Sequence, residues 1–568
     1  MVNEARFGFN RLYATVTPRS NGQNLAADFG ITGVPSDPQS NGLSVVGITG
    51  FSALGDAFDT RRGQNVFQLL DNLTIIVGRH SLKMGFEHRR TQFNLGQGSS
   101  PRGSYSYTGV FTQDPLSRTD TGNPFADFLL GLPDSASIGT NVRAGMRIRN
   151  YSGFLQDDWK ASSHLTINMG VRYEYTTPVT EVANRMANFD MATNSIVLAK
   201  DGSIEDQALA KPDRNNFAPR LGIAYQLNQR TVIRTGYGVF YTLEDAGNHN
   251  PAFNPPFSAS FTYPSNQLDP ATALRPVQGF PPVGFANGDF SNLFLNINAR
   301  PYDFPAAYSQ QWNFTIARQI RDISIEVAYV GNKANKLMAN RDINQPTPGP
   351  GSINSRRPFP GWGSITYQEP RGNSIYHGLQ AKVEKRLSLG NMFLLSYTWS
   401  KAIDDSDSTQ LATASGTGNL QSQYDYRAER SRSFQDVRHR LILSYLWELP
   451  IGRGRALGRN LTPGWNRLVG GWQINGIVSY QSGRAFTINS PFDQSNTGSS
   501  NIRPDSTGIS PELPSGERSV NQWLNPEAFR IPDGFAFGNT GRNVGTGPSL
   551  KNVDLSVFKD IFIDSDGK

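Results

Sequence analysis

The chain of 568 residues contains no cysteine, which excludes a disulfide framework, a thiol nucleophile and any Cys-ligated metal. Charged residues are scarce, at 18%, below the roughly 25% usual for soluble domains. No apolar run approaches the ~20 residues that a membrane-spanning helix needs, and the mean hydropathy is −0.45. A bundle of spanning helices is therefore excluded. A membrane β-barrel is not, because its strands carry one polar face and each gives a weak hydropathy signal. The start, Met1 to Asn10, has neither the basic end nor the apolar middle of a secretory leader and reads as strand. The net charge of +7 is spread along the chain without a basic run or basic helix, so nucleic acid is not an expected partner.

What is present is aromatic (11%) and rich in turn formers, with 56 glycines and 35 prolines. The plainest stretch runs from Gly378 to Pro450. In its first segment Leu379, Ala381, Val383 and Leu387 alternate with Gln380, Lys382, Glu384 and Arg386, and successive side chains of a strand point to opposite faces. About fourteen segments read as strands, and the same period of two recurs in many of them. Leu165, Ile167, Met169, Val171, Tyr173 and Tyr175 oppose Thr166, Asn168, Arg172 and Glu174; Ile325, Val327 and Tyr329 oppose Glu326; Trp472, Ile474, Val478 and Tyr480 oppose Gln473 and Asn475. The segment Ile148–Trp159 has mixed faces and is not oriented by alternation.

Connection lengths alternate. A few residues follow Val77, Trp159, Leu227, Ile320 and Leu387, whereas tens follow Phe93, Tyr175, Tyr241, Val330 and Trp399. Pro450–Val469 is the one stretched member of the short set. Short turns on one rim and long loops on the other describe an outer-membrane barrel. Lipid offers backbone groups no partners, so a spanning sheet must close, with an apolar outer face and an inner face free to be polar. The expected fold is thus all-β: a large antiparallel transmembrane barrel with short periplasmic turns and long extracellular loops. Arg172, Glu174, Arg220, Arg234, Glu326, Lys382, Glu384, Arg386, Arg438, Arg440 and Gln473 should face a wide lumen, wet or plugged. Val383, Leu441 and Leu443 should face lipid. Trp159, Tyr173, Tyr175, Tyr241, Tyr397, Trp399, Tyr445, Trp447, Trp472 and Tyr480 read as interfacial girdles. Within the long segment Asn94–Arg147, residues Phe125–Gly131 suggest a short helix.

Several motifs resemble those of the Oar-like TonB-dependent receptors, an acidobacterial type of outer-membrane transporter. They are Asn3-Glu-Ala-Arg-Phe-Gly-Phe-Asn-Arg11, Gly122-Asn-Pro-Phe-Ala-Asp-Phe-Leu-Leu-Gly-Leu-Pro133, Gly153-Phe-Leu-Gln-Asp-Asp-Trp159, Gly170-Val-Arg-Tyr-Glu-Tyr175, Tyr397-Thr-Trp-Ser-Lys401, Asp436-Val-Arg-His-Arg440 and Leu449-Pro-Ile-Gly-Arg-Gly-Arg455. The resemblance implies a 22-stranded barrel, a plug domain, a segment that contacts the TonB–ExbB–ExbD system, and an extracellular ligand. Against that pattern, residues 1–568 read as the receptor's barrel portion, with plug, TonB box and terminal aromatic strand outside it. The implied function is movement of a nutrient or cargo across the outer membrane. The alternatives are a passive porin or adhesin barrel and a soluble secreted β protein, the latter disfavoured because no evenly spaced blade repeat is present.

No motif points to catalysis. The histidines His80, His88, His164, His249, His377 and His439 form no His-x-x-x-His pair. Gly452–Gly458 lacks phosphate-loop spacing and reads as a basic periplasmic turn. Asp564–Gly567 lacks the acids of a calcium loop, and the Asp404–Asp407 cluster reads as solvated loop. Asp157 and Asp158 fall on opposite faces of a strand and so do not act together. No catalytic, metal-binding or cofactor-binding residue is expected. Ligand contacts would come from the long loops, where Trp362, Tyr367, Tyr424 and Tyr426 are either contacts or loop anchors.

Overall fold

A computed structural model describes residues 1–561 except 21, 36–39, 56–59, 99, 115–120, 243, 245–249, 266–268, 282–293, 389, 407–419, 491–492 and 500. His249, Asp407 and the segment 564–567 lie outside the described residues.

Among the described residues fourteen long strands follow one another in an antiparallel meander: β1 (Val2–Val16), β2 (Thr60–Val77), β3 (His80–Gly98), β4 (Asn141–Lys160), β5 (Leu165–Thr176), β6 (Phe217–Asn228) and β7 (Thr231–Tyr241), then β8 (Tyr308–Ile320), β9 (Ile323–Asp342), β10 (Ile365–Ser388), β11 (Asn391–Asp404), β12 (His439–Glu448), β13 (Trp472–Gln481) and β14 (Leu550–Lys559). Each pairs with the next in sequence, from β1–β2 through β13–β14.

Register carries the two faces around the sheet without a break. Arg234 lies opposite Thr315, Thr315 opposite Ala328, Ala328 opposite Gln380, Gln380 opposite Thr398 and Thr398 opposite Arg440. One residue along, Ile233, Ile316, Val327, Ala381, Tyr397 and Leu441 form the matching apolar row. A slip by one residue would exchange the rows, so the register is fixed by solvent. The mixed strand β4 is now oriented. Leu155 and Trp159 join the apolar row through Val171 and Ile167, and Ser152 and Gln156 join the polar one through Glu174 and Gly170.

Strand boundaries near the short turns agree with the alternation pattern, but the outer ends run further than it indicates. β9 continues past Val330 to Asp342, β10 begins at Ile365, and β4 begins at Asn141 inside the expected loop Asn94–Arg147. The helix expected at Phe125–Gly131 is Pro124–Leu129, capped by the Asn123 side chain, which accepts from the Phe125 and Ala126 N–H groups. These additions lie beyond the membrane, where loops cover both faces of a strand and alternation ceases to report its orientation.

The packed core also lies there. A small four-stranded sheet joins Val45–Ile48, Ser104–Tyr107, Ser135–Gly139 and Ser260–Pro264 from three different loops. It buries Tyr105, Tyr107, Ala136 and Ile138 against Phe280. Burial pushes the Tyr107 hydroxyl up to about 12. A second cluster fills the outer ends of β3 and β4, where Phe93, Leu95, Val142, Met146 and Ile148 meet Val179 and Met186. A third joins Phe189, Ile297, Ile343, Trp362, Ile365 and Tyr367. The described parts of the long loops thus pack into folded bodies on the outer rim.

Candidate functional site: the extracellular mouth

Three of the four loop aromatics are anchors. Trp362 and Tyr367 are buried in the third cluster. The Tyr426 hydroxyl donates to Glu369 Oε1 at 2.7 Å, and the Arg371 guanidinium lies 3.3 Å from its ring centre. Burial, reinforced by the Glu369 carboxylate, pushes the Tyr426 hydroxyl well above the ordinary phenol range. Tyr424 keeps an exposed ring, but its hydroxyl donates to the Gln345 carbonyl at 2.8 Å. Tyr424 and Tyr426 tie the loop after β11 to β10 and the β9–β10 connection, whereas Trp362 and Tyr367 pack the loops after β5 and β7 against β10.

A buried ionic network holds the next pair of loops. Arg503 donates to both oxygens of Glu429, at 2.9 and 3.0 Å, and Arg542 donates to the Glu429 carbonyl at 3.1 Å and to the Asp404 carboxylate. All four are nearly inaccessible to solvent. Two cations face two anions, so the cluster balances its charge, as a buried ionic network must. Asp404 is thus a buried member of this network, whereas the sequence suggested a solvated loop.

A cavity of about 280 Å³ opens where the outer ends of β5, β7, β9 and β10 meet the loops after β5 and β7. Ala210, Ala306, Leu337, Met338 and Phe304 supply an apolar lining, and Glu174, Asp213, Glu244, Lys211, Lys336 and Arg300 bring charge. The acids are engaged within the protein: Glu174 by Arg172 at 2.6 Å, Asp213 by the Ala306 N–H at 2.8 Å, and Glu244 by Arg300 at 2.7 Å. Lys211 and Lys336 have no carboxylate partner among the described residues. Neither cavity nor network was visible in the sequence, because each joins residues from loops far apart along the chain.

The histidines sort by height on the wall. His88 stacks on Tyr151 with ring centres 4.6 Å apart, and the Tyr329 and Tyr397 hydroxyls lie 2.7 and 2.9 Å from Nδ1 of His377 and His439. All three sit on the apolar face near its outer edge and extend the aromatic girdle. At the other rim His80 stacks on Trp159 and bonds Asp157 at 2.6 Å, while Asp158, on the polar face, bonds Lys83 at 2.7 Å. Alternation separates the two aspartates as the sequence implied. Among the described residues no three of His, Asp and Glu gather in a way that could hold a metal ion.

The family described as outer membrane beta barrel domain matches residues 1–566. The chain belongs to that family. This outer-membrane barrel domain lies in the outer membrane, with lipid as the solvent of its apolar face and the short turns on the periplasmic rim. No curated protein matches it. Among solved structures it is similar to the outer membrane transporter YddB from Escherichia coli, at 12% identity over 86% of this chain and 49% of that one, with a TM-score of 0.44. The siderophore receptor PirA from Acinetobacter baumannii shows 10% identity over 98% and 53%, with a TM-score of 0.43. A mutant of the ferric enterobactin receptor PfeA from Pseudomonas aeruginosa shows 11% over 85% and 47%, with a TM-score of 0.41. The barrel domain spans about half the length of these structures.

Proposed function

We propose that residues 1–568 form the barrel wall and outward mouth of a TonB-dependent transporter of the Oar-like type, which takes a ligand at its extracellular loops and moves a nutrient or cargo across the outer membrane. The observation that carries this reading is the pairing of a continuous charged lumen face with loops that are folded and mutually locked above it around a cavity. A simple diffusion pore has no need of so large an ordered body at its mouth. The charges of the lumen wall, such as Arg172 bridging Glu87 and Glu174, leave its inner surface hydrated and unsuited to a dry core. In this reading the chain is a receptor wall rather than a catalyst, and its energy comes from the TonB–ExbB–ExbD system acting on a plug.

The test is to delete the gene in its host and compare which solutes the two strains deplete from the medium, with and without an uncoupler. The proposal expects at least one solute whose depletion needs both the gene and the proton-motive force. Gene-dependent depletion that survives the uncoupler would identify a passive porin instead.

A further inference from the structure

On the short-turn rim, five connections between neighbouring strands span two to four residues, whereas β12 and β13 are separated by residues 449–471. This connection is an ordered body. The Gly452 and Leu457 N–H groups donate to the Leu457 and Pro450 carbonyls, and the Arg453 N–H donates to Asn466 Oδ1 at 2.7 Å. A helical turn, Pro463–Val469, follows. It is docked on the feet of the strands: Lys559 Nζ donates to the Leu468 carbonyl at 2.6 Å, and Trp472 Nε1 donates to the same carbonyl at 3.2 Å.

Its surface composition is unusual. Between Pro450 and Gly471 there are four arginines and no acid. Arg455 pairs with Glu448 at 3.1 Å. Arg453, Arg459 and Arg467 are exposed and have no acidic partner among the described residues. Interleaved with them are Leu457, Trp465 and Leu468, each at least 60% exposed. Large apolar side chains are left in water only at a cost, and unpaired arginines attract anions. A segment carrying both, attached to the edge of a lipid-facing wall, has the composition of a membrane-surface element.

We propose that the 450–471 connection binds anionic phospholipid headgroups of the periplasmic leaflet, with Arg453, Arg459 and Arg467 on the phosphates and Leu457, Trp465 and Leu468 dipping below them. Two observations select lipid over an acidic cell-wall polymer. The helical turn that carries Leu468 docks on Trp472 through the Leu468 carbonyl, and Trp447 and Trp472 fall in the apolar outer row of β12 and β13, where a girdle marks the headgroup boundary. The bias also places net positive charge at the periplasmic rim, although the sequence shows no basic run of consecutive residues.

The experiment uses the full chain in nanodiscs of phosphatidylcholine doped with phosphatidylglycerol, and counts the lipids retained on the protein by native mass spectrometry. Wild type should retain phosphatidylglycerol in preference to phosphatidylcholine. The triple variant Arg453→Gln, Arg459→Gln, Arg467→Gln should lose that preference about tenfold or more, given the strength of headgroup–arginine attraction. The matching triple Arg→Lys variant should keep it, and the heat-dependent electrophoretic shift of folded barrels reports on folding in each. Should the Gln variant not fold, the wild-type preference must still decline with rising salt. Equal retention of the two lipids, a salt-insensitive preference, or capture of the chain by isolated peptidoglycan without any phosphatidylglycerol preference would overturn the proposal.

Discussion

Arg503 grips Glu429 through two guanidinium nitrogens at 2.9 and 3.0 Å, across 74 residues of sequence and out of reach of solvent. The pair closes the loop after β11 onto the loop after β13. Removing one partner strands a buried charge, so Arg503→Ala should destabilise the loop body by about 3–5 kcal/mol, and Glu429→Leu combined with Arg503→Met much less. Limited proteolysis of folded protein reads this directly. The single variant should be cut within 482–549 while the strands stay protected, and equal protection in the two variants would show that the pair does not hold the loops.

The two faces of β9 should respond oppositely to charge. Val327 lies in the lipid-facing row, near the middle of the spanning part of its strand, and Glu326 lies beside it in the lumen row. Val327→Arg should cost about 2–4 kcal/mol for folding into lipid vesicles, whereas Glu326→Gln should cost little. Urea titration of the vesicle-inserted protein measures both. Comparable effects would mean that the faces are assigned wrongly.

Trp312 packs over Gly331 on the adjacent strand so closely that a Cβ at Gly331 would stand 2.2 Å from the indole ring. The absence of a side chain there is what lets the indole lie flat against the wall beside His377. Gly331→Val should therefore cost about 1–3 kcal/mol by overpacking. Trp312→Leu in the same chain should recover part of that loss, because the two positions share one space. Simple additivity of the two changes in a urea titration would refute the packing account.

Acid should loosen the loop after β5. Burial disfavours the charged form of Glu181, but the Arg185 guanidinium and the N–H groups of Gly145, Ala183 and Arg185 outweigh it and hold the carboxyl below the usual range. A depressed folded-state value means that the stabilisation is full above the unfolded-state value near pH 4–5, and is lost as pH falls through the lower folded-state one. Protease sensitivity of residues 177–216 should accordingly rise below about pH 4 in wild type, and Glu181→Gln should be sensitive at neutral pH. A wild-type profile that is flat across that window would remove Glu181 from the role.

The wall is legible in the chain alone. A period of two is a local property, and where one face meets lipid and the other water it marks most strands and their orientation, as in Leu165–Tyr175 and Leu379–Leu387, whereas the mixed Ile148–Trp159 was oriented only by its pairing with β5. The alternation of short and long connections added the direction, and the strand count of about fourteen followed. What lies beyond the membrane is settled by tertiary contacts. There both faces of a strand are covered, so neighbours such as Tyr367 and Gln368, or Ala144 and Met146 with Gly145 between them, are buried alike and the pattern vanishes. The Asp404–Arg542 contact spans 138 residues, and the cavity draws on loops that no local pattern connects. Burial and charge pairing at such distances depend on how the loops fold over one another, which is why Tyr426 and Trp362 were equally readable as ligand contacts or anchors until their neighbours were in place.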